Sequence, residues 1–266
     1  MRINDLFFEC SNEGRFEVFK SLYKEKKRHS ELEKDLDIRG SEISRHLKRL
    51  IEKNLVKKSM GNKYAITNIG KLFLFILELF EVSLKYELFF NTHNIDIFPL
   101  NLILQLGNLK SIKISCGTMQ NIELWSEMIK NSEKFIFAIS DQFQDSILPA
   151  VERKINNSSI DIRALVDKNV LRSKGYEKLH DRHAFYQKIN ISQNIRILKQ
   201  IEIVLLVTDK GAILFLGKEG KIDYSECLID ENEIFIKWSK ELFEWYWKKG
   251  FNIEFIIRKR QIQKIK

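Results

Sequence analysis

Apolar positions recur at helical spacing through the first part of the chain. Phe16, Phe19, Leu22 and Tyr23 share one face of a predicted helix of about three turns that follows Ser11. Ser30 opens a second, shorter helix with Leu32 and Leu36 on its buried edge, and Glu33 completes a capping box with Ser30. Asp37-Ile38-Arg39-Gly40 reads as a compact turn in which Gly40 takes the left-handed conformation. Ile43, Leu47, Leu50 and Ile51 then fall at i, i+4, i+7 and i+8, predicting a third helix from about Ser41 to Lys53. Beyond Asn54 the pattern changes. Two short β-prone runs flank Met60-Gly61-Asn62 and predict a hairpin.

Thr67 caps a long predicted helix that runs to about Phe90. Its apolar residues, from Ile69 through Leu72, Phe75, Leu79 and Leu84, lie nearly all round. Such a helix needs cover on more than one side. A second copy of the chain can supply it, and so can complete burial within one chain. From Ser111 onward, strand and helix patterns alternate. Ile112–Cys116, Phe135–Ser140, Ile160–Val166, Ile195–Lys199, Ile203–Thr208 and Ala212–Leu216 read as strands. Ile122–Lys130, Ile147–Asn156, Val170 to about Lys188 and Phe235–Lys249 read as helical. That order predicts a mixed α/β domain with a largely parallel first half.

Composition adds bounds. With 44% hydrophobic and 30% charged residues the chain can build a sizeable core. Three separated cysteines argue for a reducing compartment rather than a disulfide framework. No stretch resembles a signal peptide, and Leu72–Leu84, the most apolar run, is too short to span a membrane. The expectation is a soluble, cytoplasmic protein. Net charge is +9. Residues 1–66 hold 16 Lys and Arg against 11 Asp and Glu, and the last nine residues hold five basic residues and no acid. A basic segment and a basic tail flank a nearly neutral middle, as suits a phosphate backbone or an anionic membrane surface, although the tail reads equally well as solvated surface lysine.

The third helix carries the chemistry. Opposite its apolar stripe sit Ser41, Arg45, Lys48 and Arg49, with Ser44 on the flank. Arginine binds guanine O6 and N7 through two hydrogen bonds, serine meets base edges or phosphate, and lysine meets phosphate. Two short helices, a Gly-containing turn and a basic second helix make a helix-turn-helix. Lys57, Lys58 and Lys63 crowd the hairpin that follows, which reads as a phosphate-binding wing.

Ser41-Glu42-Ile43-Ser44-Arg45-His46-Leu47-Lys48-Arg49-Leu50, followed by Asn54-Leu55-Val56, resembles the ArsR-type winged helices of prokaryotic regulators. Asn54 stands where glycine is usual. The paired cysteines of ArsR-type metal sensors are missing from this region, so metal sensing is not carried over, and His46 reads as a partly buried helix residue rather than a ligand. Phe89-Phe90-Asn91-Thr92-His93-Asn94-Ile95-Asp96-Ile97-Phe98-Pro99-Leu100, Leu106–Leu109, Phe135–Gln142, Ile160–Asp167 and Leu242–Trp247 are similar to the archaeal methanogenesis regulatory proteins. That resemblance implies an archaeal transcription factor whose effector domain is similar to that of TrmB-type regulators, a fold that in turn resembles phospholipase D.

Phospholipase-D-like hydrolases use H-x-K-x4-D. Here His180-Asp181-Arg182-His183 has arginine for lysine, and Gln187 stands where the aspartate belongs. No second copy is present, and neither are the G-x-S-x-G, Walker A, G-x-G-x-x-G or C-x-x-C motifs. The expectation is no enzyme, no cofactor and no metal, His180 and His183 being too few ligands. Ligands of open α/β sheets lie beyond the carboxyl ends of strands. Ser140, Asp141, Gln142, Asp167, Lys168 and Lys199 are therefore the nominated effector-binding residues, best suited to a sugar, a polyol or a bridging ion, with an anion left open by the two lysines.

The fold class expected is α+β or α/β: an N-terminal winged helix-turn-helix over 1–66, a connecting and dimerisation helical segment over 67–110, and a mixed α/β effector-binding domain over 111–266 resembling a degenerate phospholipase D. The function expected is a homodimeric regulator that binds double-stranded DNA, with affinity set by a small molecule and no membrane partner. The competing readings are a divergent phosphodiesterase-like enzyme with an appended nucleic-acid-binding domain, and an architectural DNA binder with a solid, pocket-free core.

Overall fold

The computed structural model describes residues 2–142, 148–156, 160–167, 170 and 194–252. The chain divides into two compact units, Met1–Glu81 and Val82–Lys266.

The first unit contains α1 (Ile3–Cys10), α2 (Glu13–Lys24), β1 (Lys27–Arg28), α3 (His29–Leu36), α4 (Gly40–Glu52), β2 (Val56–Ser59) and β3 (Lys63–Ile66), followed by α5 (Asn68–Lys85). Val18, Phe19, Leu22, Leu32, Ile43, Leu47 and Leu50 form its core and are almost fully buried. Three helices and a small β1-β3-β2 sheet enclose it. The apolar stripes read from the sequence supply most of this core, except that Tyr23 is exposed and Val18 is buried in its stead; the helix ends differ too. Asn12, not Ser11, caps α2, its side chain accepting from the Arg15 amide at 3.0 Å. The box that opens α3 lies two residues early: Glu31 accepts from the Arg28 amide at 2.6 Å, and Ser30 is already inside the helix. Glu33 instead reaches forward to the Gly40 amide at 3.0 Å. Asp37, with φ 52°, is the left-handed residue of the turn, while Gly40 begins α4. Gly40 serves close approach: a Cβ there would stand 3.0 Å from both Glu33 carboxylate oxygens.

Thr67 caps α5 as expected, accepting from the Gly70 amide at 3.0 Å. The helix ends at Lys85 rather than near Phe90. Tyr86 leaves helical geometry, with φ −114° and ψ 30°, and a separate α6 follows over Glu87–Thr92. The phenol of Tyr86, buried, donates to the Ile112 carbonyl, so a tertiary anchor breaks a pattern that periodicity alone would continue.

The second unit continues with α7 (Leu100–Ile103), β4 (Lys113–Cys116), α8 (Thr118–Asn131), β5 (Phe135–Ser140), α9 (Leu148–Asn156), β6 (Asp161–Asp167), β7 (Ile195–Leu198), β8 (Ile203–Thr208), β9 (Ala212–Lys218), β10 (Lys221–Ile222), β11 (Glu226–Asp230), a helix α10 (Glu233–Lys249) and β12 (Phe251–Asn252). The main sheet runs β12-β7-β6-β5-β8-β9-β11-β4, with β10 paired to β9. β5, β6 and β7 are mutually parallel, with Ser140 opposite Val166 and Asp167 opposite Leu198; the other pairings are antiparallel. Alternation decides the layers. Ile136 on β5 joins Trp125, Ile129, Ala150 and Phe215 under α8 and α9. Phe137, one residue on, stacks at 4.9 Å on Phe243 of α10. β5 is thus an interior strand covered on both faces. β11, which the sequence pattern did not suggest, is short and mixed in character (Glu226-Cys227-Leu228-Ile229-Asp230), and its pairing with both β4 and β9 defines it.

Candidate nucleic-acid interface and effector pocket

α4 turns Ile43, His46, Leu47 and Leu50 into the core. This leaves Ser41, Ser44, Arg45 and Lys48 exposed. Arg45 is 69% exposed, and among the described residues its guanidinium meets only Glu42, one turn back, at 3.4 Å. A loose exposed pair of this kind yields readily to a stronger acceptor. Ser44 is held in place: His29 Nε2 lies 2.9 Å from its hydroxyl and 2.9 Å from the Gly40 carbonyl. His46 is buried, as expected of a core residue, and burial lowers its pKa, the nearby Glu42 opposing.

Arg49 has a different setting from its neighbours. It binds Glu9 of α1 through both carboxylate oxygens, at 2.8 and 2.9 Å. Glu9 is 1% exposed and also pairs with Arg15 at 3.0 Å. Arg49 holds the Glu9 carboxyl below its ordinary range against the opposing effect of burial, with Arg15 adding to the lowering. Arg49 thus anchors α4 to α1 as well as facing outward. Glu9 was not anticipated, although Ile3, Leu6, Phe7 and Cys10 fall at i, i+3, i+4 and i+7, a helical signal for α1.

In the β2–β3 hairpin, Gly61 takes φ 73° and Asn62 φ 56°, conformations that close the turn tightly. Lys58 is opposite Tyr64, and Ser59 opposite Lys63. Side chains alternate between faces, so Lys57 and Lys63 share one face and Lys58 takes the other. Lys57 and Lys58 are exposed and Lys63 is half-buried.

Because β5, β6 and β7 are parallel neighbours, Asp141, Asp167 and Lys199 leave the sheet at the same end. They do not form an open carboxylate crevice. Asp141 accepts the Tyr224 hydroxyl, and Lys199 lies 5.7 Å from the Phe251 ring centre. The Tyr224 phenol is pushed upward in pKa by burial first and by Asp141 second. Ser140 turns back on its own loop, donating to the Gln142 carbonyl at 2.7 Å. Beneath this edge, on the α8–α9 side of the sheet, the described residues line a partly open cavity of about 160 Å³. Trp125, Ile129, Ala138, Val204 and Phe215 make its walls apolar, and Ser140, Gln142 and Tyr224 border it. Trp125 Nε1 is buried there with no hydrogen-bond partner among the described residues. Lys168 and the segment His180–Gln187 lie outside the described residues.

Two family profiles match this chain. Residues 12–58, from the cap of α2 into β2, match the bacterial regulatory protein, arsR family. Residues 120–249, from α8 to the end of α10, match the methanogenesis regulatory protein FilR1, middle domain. The chain joins an ArsR-type helix-turn-helix to a FilR1 middle domain. It is a DNA-binding transcriptional regulator. The FilR1-type region contains the cavity-lining residues of α8, β5, β8 and β9, and the ArsR-type region contains all of α4.

Among solved structures, the regulator is similar to TrmBL2, described as an archaeal chromatin protein. The identity is 16%, covering 89% of this chain and 92% of that one, with a TM-score of 0.41. It is also similar to Nuc from Salmonella typhimurium, a phospholipase D family member, at 14% identity over 53% of this chain and 97% of that one, with a TM-score of 0.35. No curated protein matches its sequence. Among the described residues, no helix is long and apolar enough to cross a membrane.

Proposed function

We propose that this regulator binds duplex DNA as a homodimer and that a small molecule in the second unit sets its affinity. The exposed face of α4 carries the DNA part of the reading. Among the described residues, no tertiary partner engages Arg45, Lys48 or Ser41, and the wing lysines lie on the same small unit. Ser44 and Arg49, held by His29 and Glu9, contribute as preset contacts rather than as mobile ones.

The dimer part rests on α5. Ile69, Leu72, Ile76, Phe80 and Leu84 are between 44% and 69% exposed and follow one another at steps of three and four. That spacing makes one exposed apolar stripe along the helix. A second copy is the occupant that also presents a second recognition helix to a second half-site.

The effector part rests on the cavity. Its volume of about 160 Å³ suits a ligand of about benzene size, and its apolar walls favour an apolar body over a polyol. Polar groups at Ser140, Gln142 and the Tyr224–Asp141 pair would orient one polar end. Such a ligand shifts DNA affinity only by binding two conformations unequally.

The test begins with selection of bound sequences from random duplex DNA. Arg45→Ala is then compared with wild type on the selected site, folding checked by circular dichroism. A base contact corresponds to roughly 1–3 kcal/mol, or about 5- to 150-fold weaker binding, with preference relaxed at one base pair. Unchanged affinity in a folded variant would reject α4 as the recognition helix.

A further inference from the structure

We propose that His93, Asp223 and Glu226 form a site for a single divalent transition-metal cation of the zinc class, separate from both the DNA-binding face and the effector cavity. The three residues come from distant positions in sequence. His93 follows α6, Asp223 lies between β10 and β11, and Glu226 opens β11. One ligand atom from each lies within 4.8 Å of the other two.

The hydrogen bonding of His93 fixes the chemistry. Its side chain is fully buried. Nδ1 lies 2.9 Å from the Phe89 carbonyl and 3.0 Å from the Thr92 hydroxyl oxygen. The Thr92 hydroxyl itself donates to the Leu88 carbonyl at 2.9 Å, so both neighbours offer lone pairs to Nδ1. Nδ1 therefore carries the proton, and in the neutral ring Nε2 is left as a bare lone pair. Nε2 is buried without a hydrogen-bond partner and faces Asp223 Oδ2 at 3.5 Å. A lone pair facing a carboxylate oxygen is unfavourable unless a metal ion, or a proton on Nε2, stands between them. A backbone carbonyl on one imidazole nitrogen with the other nitrogen free is the usual bonding of a metal-bound histidine.

The His93–Asp223 separation fits, and the third ligand atom stands within 4.8 Å of both. Ligand atoms about 2.0–2.2 Å from a tetrahedral ion stand roughly 3.4 Å apart, against 3.5 Å here. Asp223 is already oriented, its Oδ1 accepting from the Ser225 amide at 2.8 Å and the Ser225 hydroxyl at 2.5 Å. Among the described residues, Lys218 is the side-chain ammonium beside it, 3.7 Å from Oδ2 and 40% exposed, placed to turn into solvent when an ion enters. Glu226 supplies the third ligand and second oxygen donor. Cys116, its cross-strand partner, sets a thiol 4.0 Å from Oε1, so a sulfur donor borders the site. One imidazole and two carboxylates suit a borderline divalent ion better than calcium or magnesium, which prefer all-oxygen shells. A bound ion would tie the end of α6 to the start of β11.

Zinc chloride titrated into the full chain, followed by calorimetry and by metal content after gel filtration, tests this. One retained zinc per chain is expected, with X-ray absorption showing nitrogen and oxygen donors. Asp223→Asn and Glu226→Gln should each weaken binding at least tenfold while circular dichroism stays unchanged. His93→Asn should abolish binding, and the two carboxylate variants decide the matter if that buried substitution fails to fold. His180→Ala with His183→Ala should retain the zinc. The proposal is overturned if no zinc is retained, or if both carboxylate variants bind as wild type does.

Discussion

Glu9→Gln tests how the recognition helix is held. Glu9 is 1% exposed and bonded to two arginines, Arg15 at 7% exposure and Arg49 at 40%. Glutamine keeps the shape but removes the charge. Breaking one side of a fully buried ion pair costs about 3–5 kcal/mol, and a hydrogen bond to a charged group contributes about 1.5–3 kcal/mol. Arg15 retains the Glu9 carbonyl at 2.7 Å and the Phe8 carbonyl at 3.2 Å, and Arg49 is half exposed, so neither extreme of that span applies. About 2–4 kcal/mol at pH 7 is the expected loss. Hydrogen exchange of the α2 and α4 amides in the full chain reads it directly, as protection lower by roughly 30- to 800-fold. The sign with pH follows from the lowered Glu9 pKa. A carboxyl with a depressed folded value contributes its stability above its unfolded pKa of about 4.3 and loses it as pH falls through the folded value. The gap between wild type and variant should therefore be full at pH 6–7 and close as the pH falls below about 4. A variant as protected as wild type at pH 7, or a gap that widens in acid, would refute the argument.

Lys63→Ala should weaken binding to all duplex sequences alike and lower the salt slope by about one counterion; a changed base preference at constant slope would make the wing a base reader. Phe80→Asp or Leu84→Glu should convert a dimer to a folded monomer in sedimentation, and a wild-type chain that is monomeric at tens of micromolar would remove the dimer. Ala138→Phe should fill the cavity at a cost of about 1–3 kcal/mol and abolish any ligand-dependent change in DNA affinity; a response that survives would place the effector elsewhere.

The DNA-binding unit was largely legible in the sequence because its logic is local. Ile43, Leu47 and Leu50 are spaced by the helix period, so the face carrying Ser41, Arg45 and Lys48 follows from geometry once the helix exists. Phe135–Ser140 and Ile203–Thr208 were equally legible, since an unbroken apolar run has few places to go but the middle of a covered sheet. Caps were less so: Ser11, Asn12, Ser30 and Arg28 all precede apolar runs, and only the folded backbone selects which amide is left to satisfy. Tertiary contacts decided the rest. No local pattern marks Glu9 as the partner of Arg49, forty residues away, or Tyr86 as the break in a helix that the apolar period would extend. Asp141 read as a free carboxylate until Tyr224, across the fold, was found to hold it. His93, Asp223 and Glu226 belong to segments with no common motif, and only sheet pairing and the anchoring of α6 bring them together. Periodicity records which face a residue takes, whereas a partner distant in sequence is chosen by the closure of the chain, and that leaves no trace in spacing.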